Sequence, residues 1–222
     1  MTTKIHKIDS FTITEYTNAN IFVIENVLET DICRDLIKKM NDSENIKLFY
    51  SNNNNVECYK IIKFNYENIS KIIEKKLYDI TIAFKKIKNI NIEGVTNFEL
   101  RKVYGKTRLH TDGTCPGDKI QSPITGDIMK LVRSITIVGA LNDDYEGGIY
   151  NFPIQNVEIK LKAGSFILFP PYWTHPHEVS HIIKKDNGND YRYIVSCWGL
   201  DDFLVKDLDD EYKLNNIVIL SK

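Results

Sequence analysis

Two side chains with metal-binding chemistry lie close together near the middle of the chain. His110 and Asp112 are separated by one residue and follow the apolar-alternating stretch 98–104. In a β-strand, residues i and i+2 face the same side, so the imidazole and the carboxylate would converge on one point. Because the His-X-Asp pattern is short and common by chance, the alternative is a hydrogen-bonded surface pair at a strand end.

A third ligand could come from the distant segment Thr174-His175-Pro176-His177-Glu178-Val179. His175 and His177 also lie two residues apart, so periodicity does not choose between them. Two histidines and one carboxylate form the facial ligand set of non-haem Fe(II) sites, which leaves the opposite face of the octahedron open. The residue types therefore indicate an iron centre with open coordination positions.

Short strands are predicted to position these residues. From Asn97 onward, β-rich runs alternate with turns that contain Gly, Pro and Asn, which is typical of a sandwich or barrel. Asn187-Gly188 predicts a hairpin that makes the His177 strand and the Arg192 strand antiparallel neighbours. Strands are predicted at 98–104, 108–112, 131–141, 149–152, 158–161, 165–169, 177–183 and 191–199.

The N-terminal part has a different character. Short β-rich runs at 11–16 and 21–27 precede apolar residues at helical spacing in 29–40 and 69–87. We expect one domain over residues 1–222, with a helical and β support region at 1–96 and a β core at 97–200 that carries the site. Residues 201–222 form an acidic C-terminal extension in this prediction, with a terminal strand at 217–220.

Composition limits the possible partners. The chain has 222 residues, 42% hydrophobic and 27% charged, and a net charge of -1, which gives no strong electrostatic case for nucleic acid as the main partner. The four cysteines show no CxxC spacing, and no 18-residue apolar run or apolar signal segment is present. We therefore expect no membrane partner and a cytoplasmic or otherwise soluble intracellular location.

The order of motifs resembles that of the Fe(II)/2-oxoglutarate dioxygenases of the prolyl 4-hydroxylase type, including the hypoxia-sensing prolyl hydroxylases. The similarity spans roughly 98–198, and it implies a mostly β (α+β) fold with a double-stranded β-helix (jelly-roll) core and flanking N-terminal helices. The motifs are Tyr104, His110-Thr111-Asp112, Leu141-Asn142-Asp143, Gly147-Gly148, Phe152-Pro153, Ala163-Gly164-Ser165, Phe169-Pro170, Pro176-His177-Glu178-Val179 and Arg192 to Trp198.

The resemblance also implies which residues bind the metal. His110 and Asp112 match the His-X-Asp ligands of the family. His177 matches its second histidine, because the family has that residue in a Pro-His-Glu-Val context. His175 then becomes a residue of the pocket wall, and His181 an ordinary strand histidine.

Cosubstrate-binding residues follow from the same comparison. Arg192 matches the basic residue that binds the distal carboxylate of 2-oxoglutarate, for which a planar guanidinium is suited. Ser196 and Trp198 share its alternation and are expected to face inward with it. Tyr104 resembles a pocket tyrosine that hydrogen-bonds the cosubstrate.

This sequence departs from the family at three points. Ala140 stands where the hypoxia-type enzymes carry a second cosubstrate-binding tyrosine, and His181 replaces a common proline. The spacing from His177 to Arg192 is also longer than usual. The first and third departures concern cosubstrate binding and leave the metal ligands unaffected.

The implied activity is hydroxylation of a substrate C–H bond, with release of succinate and CO₂. Fe(II), 2-oxoglutarate and O₂ are the implied cofactors, with ascorbate as an optional addition. The expected substrate is a prolyl residue of a peptide or protein, and the alternatives are a free amino acid or another small molecule. A non-catalytic jelly-roll binding module and a nucleobase or nucleic-acid oxygenase on the same core are competing interpretations, whereas Asp112 argues against a halogenase.

Two polar segments are expected at the rim of the site. Residues 113–129 form a long insertion directly after the metal-binding pair, and loops of this length in compact domains are often lids. Residues 51–56 form a second polar loop. We predict that both contribute to the substrate entrance.

Overall fold

The computed structural model describes residues 2–42, 46–49, 56–60, 67–113, 119–121, 128–130, 133–201 and 217–219. Its helices are α1 (Thr30–Asn41) and α2 (Glu67–Lys88). Its strands are β1 (Thr3–Ile8), β2 (Phe11–Tyr16), β3 (Ile21–Ile24), β4 (Ile46–Phe49), β5 (Val56–Lys60), β6 (Gly94–Thr96), β7 (Glu99–Tyr104), β8 (Thr107–His110), β9 (Lys119–Gln121), β10 (Ile128–Lys130), β11 (Arg133–Ala140), β12 (Tyr145–Gly147), β13 (Tyr150–Phe152), β14 (Val157–Ile159), β15 (Phe166–Phe169), β16 (His177–Val179), β17 (Ile182–Lys184), β18 (Tyr191–Leu200) and β19 (Ile217–Ile219).

A large antiparallel sheet forms the middle layer of the molecule. Its strands run in the order β1-β2-β3-β15-β11-β18-β7-β5-β4, and β6 pairs with both β18 and β19. The central strands β11, β15 and β18 are buried almost throughout. Strands covered on both faces carry continuous apolar runs in place of alternation, which explains sequences such as Phe-Ile-Leu-Phe in β15.

The two helices cover one face of this sheet. Each presents an apolar stripe, and Leu36 of α1 and Leu77 of α2 are fully buried there. They pack into one cluster with sheet residues such as Phe22 and Val195. Burial of each such side chain contributes about 1.5–3 kcal/mol to the stability of the fold. The helix layer therefore stabilises the sheet on the face opposite the small sheet.

A small four-stranded sheet covers the opposite face. Its order is β14-β13-β16-β8, and it is antiparallel throughout. Phe152 and Val179 of this sheet join Val138 and Ile194 of the large sheet in a second buried cluster. The two sheets form the predicted jelly roll. The candidate metal-binding and cosubstrate-binding residues lie in the space between them.

The Asn187-Gly188 turn is present, but the strand pairing predicted from it is wrong. Asn187 adopts a positive φ of 60°, and the Gly188 N–H donates to the carbonyl of Lys185. The segment nevertheless splits into β16, which pairs with β8 and β13, and β17, which pairs with β12. The turn packs against Asp144, and β18, which follows it, lies in the large sheet, where it pairs with β11, β7 and β6.

The predicted support region (1–96) and the predicted β core (97–200) both contribute strands to the large sheet. β3 of the N-terminal region pairs with β15, and β19 of the C-terminal extension pairs with β6. Within the predicted lid, β9 and β10 form an antiparallel pair. The remainder of 113–129 beyond Gly113, the loop 51–55 and residues 202–216 lie outside the described residues.

Candidate metal centre

The three predicted metal ligands come together at one end of the small sheet. β8 and β16 are antiparallel neighbours, and His110 lies directly opposite His177. Asp112 follows β8 and turns back toward both rings, with its carboxylate oxygens 3.4 Å from Nε2 of His110 and 3.7 Å from Nε2 of His177. One ligand atom from each residue lies within 4.8 Å of the others, so a single ion can contact all three.

Backbone carbonyls orient the two imidazoles. Nδ1 of His110 lies 2.8 Å from the carbonyl oxygen of Arg108, and Nδ1 of His177 lies 3.1 Å from that of His175. A carbonyl accepts a hydrogen bond, so each ring carries its proton on Nδ1 and keeps a lone pair on Nε2. This arrangement is typical of histidines that bind metals, because the bond fixes both the tautomer and the ring orientation.

Asp112 is held in its ionised form by its surroundings. The Oγ1 hydroxyl of Thr136 donates to Oδ2 at 2.9 Å, and Arg133 donates to the backbone carbonyl of Asp112 at 3.2 Å. Burial by itself raises the pKa of Asp112, but the nearby imidazoles of His110 and His177 and the hydrogen bond from Thr136 outweigh it and hold the pKa well below its usual range. The carboxylate is therefore available as an anionic ligand.

The histidines differ in their electrostatic environments. Burial lowers the pKa of His177 to about 4, against the opposing effect of Asp112. Burial also acts to lower the pKa of His110, but the adjacent Asp112 carboxylate raises the pKa overall. His177 is thus neutral at pH 7 and can bind a cation without first losing a proton.

His175 does not join this cluster. Its Nε2 lies 2.7 Å from the carbonyl oxygen of Ala19, and its Nδ1 lies 2.9 Å from the hydroxyl of Thr174. Both ring nitrogens are engaged in structural hydrogen bonds. The geometry places His177, and not His175, with His110 and Asp112.

The metal cluster opens into a cleft between the two sheets. Its empty volume is about 500 Å³, including the open mouth. Arg192, Ser196 and Trp198 of β18 line it together, as the strand alternation predicts. The other lining residues are Arg101, Val103, Thr107, His110, Asp112, Val138, Tyr150, His177, Val179 and Ile194.

Arg192 is a buried cation with neutral neighbours. Its side chain crosses the cleft, where Nη1 donates to the Tyr150 hydroxyl at 2.8 Å and Nη2 donates to the Thr107 hydroxyl at 2.9 Å. Within the described part of the chain, no carboxylate forms a salt bridge with it, and its buried Nε has no hydrogen-bond partner. A buried guanidinium is costly without an anion, so this end of the cleft is suited to a carboxylate.

Tyr104 lies away from the cleft. It is on β7, where Val103 and Arg101 face the cleft, whereas the Tyr104 ring packs against Tyr191 at 5.5 Å between centroids. Strand parity alone could have indicated this, since Val103 and Tyr104 must face opposite sides.

Sequence reasoning missed three residues that contact the proposed ligands or the arginine. Thr136 hydrogen-bonds Asp112, while Tyr150 and Thr107 hydrogen-bond Arg192. No sequence motif marks any of these three residues, because each forms its hydrogen bond with a residue from the facing sheet. The alternation of Tyr150 with Phe152 showed only that both face the same side of a strand.

The residues present fit an iron ion and a dicarboxylate. Two imidazole nitrogens and one carboxylate on one face match the ligand preference of non-haem Fe(II), and the cleft side stays open. At the other end of the cleft, the buried Nε of Arg192 has no hydrogen-bond partner among the described residues, so an acidic group could accept a hydrogen bond from it. A keto acid that contacts both ends would occupy the space between them.

Known structures share this architecture. A viral collagen prolyl hydroxylase from Paramecium bursaria Chlorella virus-1, solved as its 2-oxoglutarate complex, superposes with a TM-score of 0.60 at 20% identity, covering 82% of this chain and 96% of that one. The chain has the prolyl 4-hydroxylase fold. A prolyl hydroxylase from Trichoplax adhaerens, in complex with a peptide fragment of the hypoxia inducible factor oxygen degradation domain, gives 0.57 at 18% identity, covering 83% and 84%.

A Pseudomonas putida prolyl 4-hydroxylase is a third similar structure, with a TM-score of 0.52, 17% identity and coverage of 82% and 93%. No protein-family model and no curated protein matches the chain. The shared prolyl 4-hydroxylase fold is therefore established by structure and not by sequence. Among the described residues, no helix is long and apolar enough to cross a membrane.

Proposed function

We propose that this protein is an Fe(II)- and 2-oxoglutarate-dependent dioxygenase that hydroxylates a C–H bond of a prolyl residue in a peptide or protein. The observation that carries the proposal is the pairing of two features in one cleft. His110, Asp112 and His177 form a compact triad at one end, and the buried Arg192 has no acidic partner among the described residues at the other.

The three ligands would bind Fe(II) through Nε2 of each histidine and the carboxylate of Asp112. They occupy one face of the ion, so the remaining positions face the cleft and are available to a keto acid and to O₂. When bound, the iron, 2-oxoglutarate and O₂ would couple oxidative decarboxylation to hydroxylation of the substrate, with release of succinate and CO₂. The chain itself orients these groups and limits access of water.

Arg192 would bind the distal carboxylate of 2-oxoglutarate. The guanidinium lies between the two sheets and is already oriented by two hydroxyls, so little conformational entropy is lost when an anion binds. Ser196 lies on the same side of β18 and lines the cleft beside it. These contacts would hold the keto acid between the arginine and the metal.

The substrate assignment rests on fold likeness. Two of the similar structures are a collagen prolyl hydroxylase and a prolyl hydroxylase with a bound peptide. In this chain, Trp198 forms part of the cleft wall, and the guanidinium of Arg133 lies 3.5 Å from the centre of its ring. Hydroxylation of a free amino acid or another small molecule is the alternative on the same core.

The test combines metal binding with cosubstrate turnover. Anaerobically purified protein should bind one Fe(II), and with 2-oxoglutarate, O₂ and a proline-containing peptide library it should form succinate and a hydroxylated peptide. Asp112→Ala should abolish both coupled products. His181→Ala is the matched control, because this exposed histidine lies outside the triad and should leave metal binding and turnover unchanged.

Each outcome distinguishes one interpretation. Succinate without hydroxyproline, accompanied by a mass shift in a small-molecule mixture, would transfer the assignment to a small-molecule hydroxylase. Binding of Fe(II) and 2-oxoglutarate with no succinate would favour a non-catalytic jelly-roll module. Full activity of Asp112→Ala would contradict the assigned metal site.

A further inference from the structure

Two surface turns beside the metal centre expose large apolar side chains. Trp173 is 81% exposed and Tyr172 is 38% exposed, both in the loop 170–176 between β15 and β16. Ile154 is 64% exposed, in the turn 153–156 between β13 and β14. We call these three residues the apolar patch. Neither turn contains Asp, Glu, Lys or Arg, in a protein in which 27% of the residues are charged.

Hydrogen bonds fix the backbone that carries the apolar patch. The side-chain amide of Gln155 donates to the carbonyl oxygen of Thr174 at 2.7 Å and so joins the two turns. Nε2 of His175 lies 2.7 Å from the carbonyl oxygen of Ala19, and the His175 N–H donates to the carbonyl of Tyr172 at 2.8 Å. The backbone of the patch is therefore in place before a partner binds, which keeps the entropy cost of binding low.

The apolar patch is continuous with the metal end of the cleft. A Cβ atom on Gly113 would lie 3.1 Å from the carbonyl oxygen of Pro171 and 3.5 Å from Cδ1 of Tyr172. The loop thus packs against the residue that directly follows Asp112, and its other end leads into His177. A polypeptide whose reacting residue lies at the metal can therefore contact the patch with neighbouring residues of its own chain.

We propose that the apolar patch binds the polypeptide substrate outside the cleft, through an uncharged, proline-rich segment next to the residue that is hydroxylated. This proposal rests on the proposed function and adds a second contact region to it. Proline-rich segments form a stiff extended helix that docks on exposed aromatic side chains at a low entropy cost. Tryptophan and tyrosine are also enriched among the residues that dominate binding energy in protein interfaces.

The absence of charge on both turns matches such a segment better than an acidic or a basic one. A free amino acid at the metal has no flanking residues with which to contact the patch. The apolar patch therefore favours a polypeptide over a free amino acid as the substrate.

The test measures peptide binding without turnover. Protein loaded with Mn(II) and 2-oxoglutarate under anaerobic conditions is titrated by calorimetry with a synthetic peptide of five Pro-Pro-Gly repeats. Trp173→Ala should weaken binding of this peptide about tenfold, a typical effect of truncating an interface tryptophan. Its affinities for Mn(II) and for 2-oxoglutarate should equal those of the wild type, because Trp173 is neither a metal ligand nor a residue that lines the cleft.

Ile154→Ala should weaken binding of the peptide in the same direction, by a smaller factor than Trp173→Ala does. Ile183→Ala is the matched control, because this apolar side chain is 57% exposed but lies on β17, which pairs with β12 and with neither turn. Its affinity for the peptide should equal that of the wild type.

The proposal and the proposed function fail differently. If the wild type does not bind the peptide, or binds it no more tightly than Trp173→Ala does, the apolar patch is not a substrate contact, and Fe(II)-dependent succinate formation decides the proposed function separately. A wild-type dimer that Trp173→Ala converts to a monomer in sedimentation would make the patch an interface between two copies and would also overturn the proposal. Peptide binding that depends on Trp173, in a protein that forms no succinate, would support the contact and contradict the proposed function.

Discussion

At the scale of single residues, the metal centre depends on hydrogen bonds that set the state of each ligand. The carbonyls of Arg108 and His175 keep the histidine protons on Nδ1, and Thr136 holds one oxygen of the Asp112 carboxylate. These partners would not themselves bind the metal, but they determine which lone pairs face it. The ligand set is thus preorganised.

Thr136 provides a direct test of this preorganisation. Thr136→Val keeps the volume of the buried side chain but removes the hydrogen bond to Asp112. We expect Mn(II) and Fe(II) affinity to fall by about ten- to a hundredfold, since loss of an outer-shell partner typically has that effect. Metal titration of the purified variant is the measurement. Thr136→Ser should restore most of the affinity, and equal affinity of Val and wild type would exclude the role.

At the scale of elements, the active residues divide between two sheets while the helices stabilise from outside. β8 and β16 of the small sheet carry the triad histidines, and β18 of the large sheet carries Arg192. α2 packs on the opposite face of the large sheet. Stability and ligand geometry should therefore be separable by mutation.

Leu77→Ala on α2 tests this separation. Leu77 is fully buried under the large sheet, so its truncation should lower the free energy of unfolding by about 2–5 kcal/mol. Because the metal cluster lies beyond the sheet, Mn(II) affinity of the folded variant should stay within about twofold of wild type. Urea unfolding and metal titration measure the two effects.

Lys75→Ala is the control on the same helix. Lys75 is exposed and pairs with Asp79 one turn away, an interaction of about 0.3–0.5 kcal/mol. Its unfolding midpoint should change little. A large loss of metal affinity in Leu77→Ala would show that the helix layer and the metal cluster are coupled.

Features within a single strand or helix were predictable from the sequence, whereas contacts between elements were not. The His110 and Asp112 pair was predictable because two residues on one strand share a side by geometry, and α2 was predictable because apolar residues recur at helical spacing. The Asn187-Gly188 hairpin failed as a guide to pairing, because a turn specifies a local reversal and not the sheet that each strand joins. Tyr150 and Thr136 were missed because their contacts exist only after two sheets pack.

At the scale of the whole molecule, the N-terminal strands are tied to the helix layer by a buried ionic network. Glu15 on β2 accepts from His6 of β1 at 2.6 Å and from Lys88 at the end of α2 at 3.2 Å. Burial acts to raise the pKa of Glu15, but the bonds and charges of His6 and Lys88 outweigh it and lower the pKa below its ordinary value. The folded state therefore favours the ionised carboxylate.

This difference makes part of the stability depend on pH. Because the pKa is lower in the folded state, the contribution of Glu15 is fully present above its unfolded pKa of about 4.3 and is lost as the pH falls through the folded value. Glu15→Gln removes the titrating group but keeps the shape. The stability advantage of wild type over this variant should be present at pH 7 and should shrink progressively below about pH 4.

Urea unfolding of both proteins at pH 7, 5 and 3 measures this advantage directly. Glu25→Gln is the control, because Glu25 forms an exposed pair with Lys162, with exposed side-chain fractions of 49% and 74%, and such pairs contribute little. Because Glu15 links β1, β2 and α2, its variant should show a pH-dependent difference that Glu25→Gln does not. An advantage of the same size at every pH would mean that Glu15 acts through packing, and that the layers are joined by apolar contacts without help from its charge.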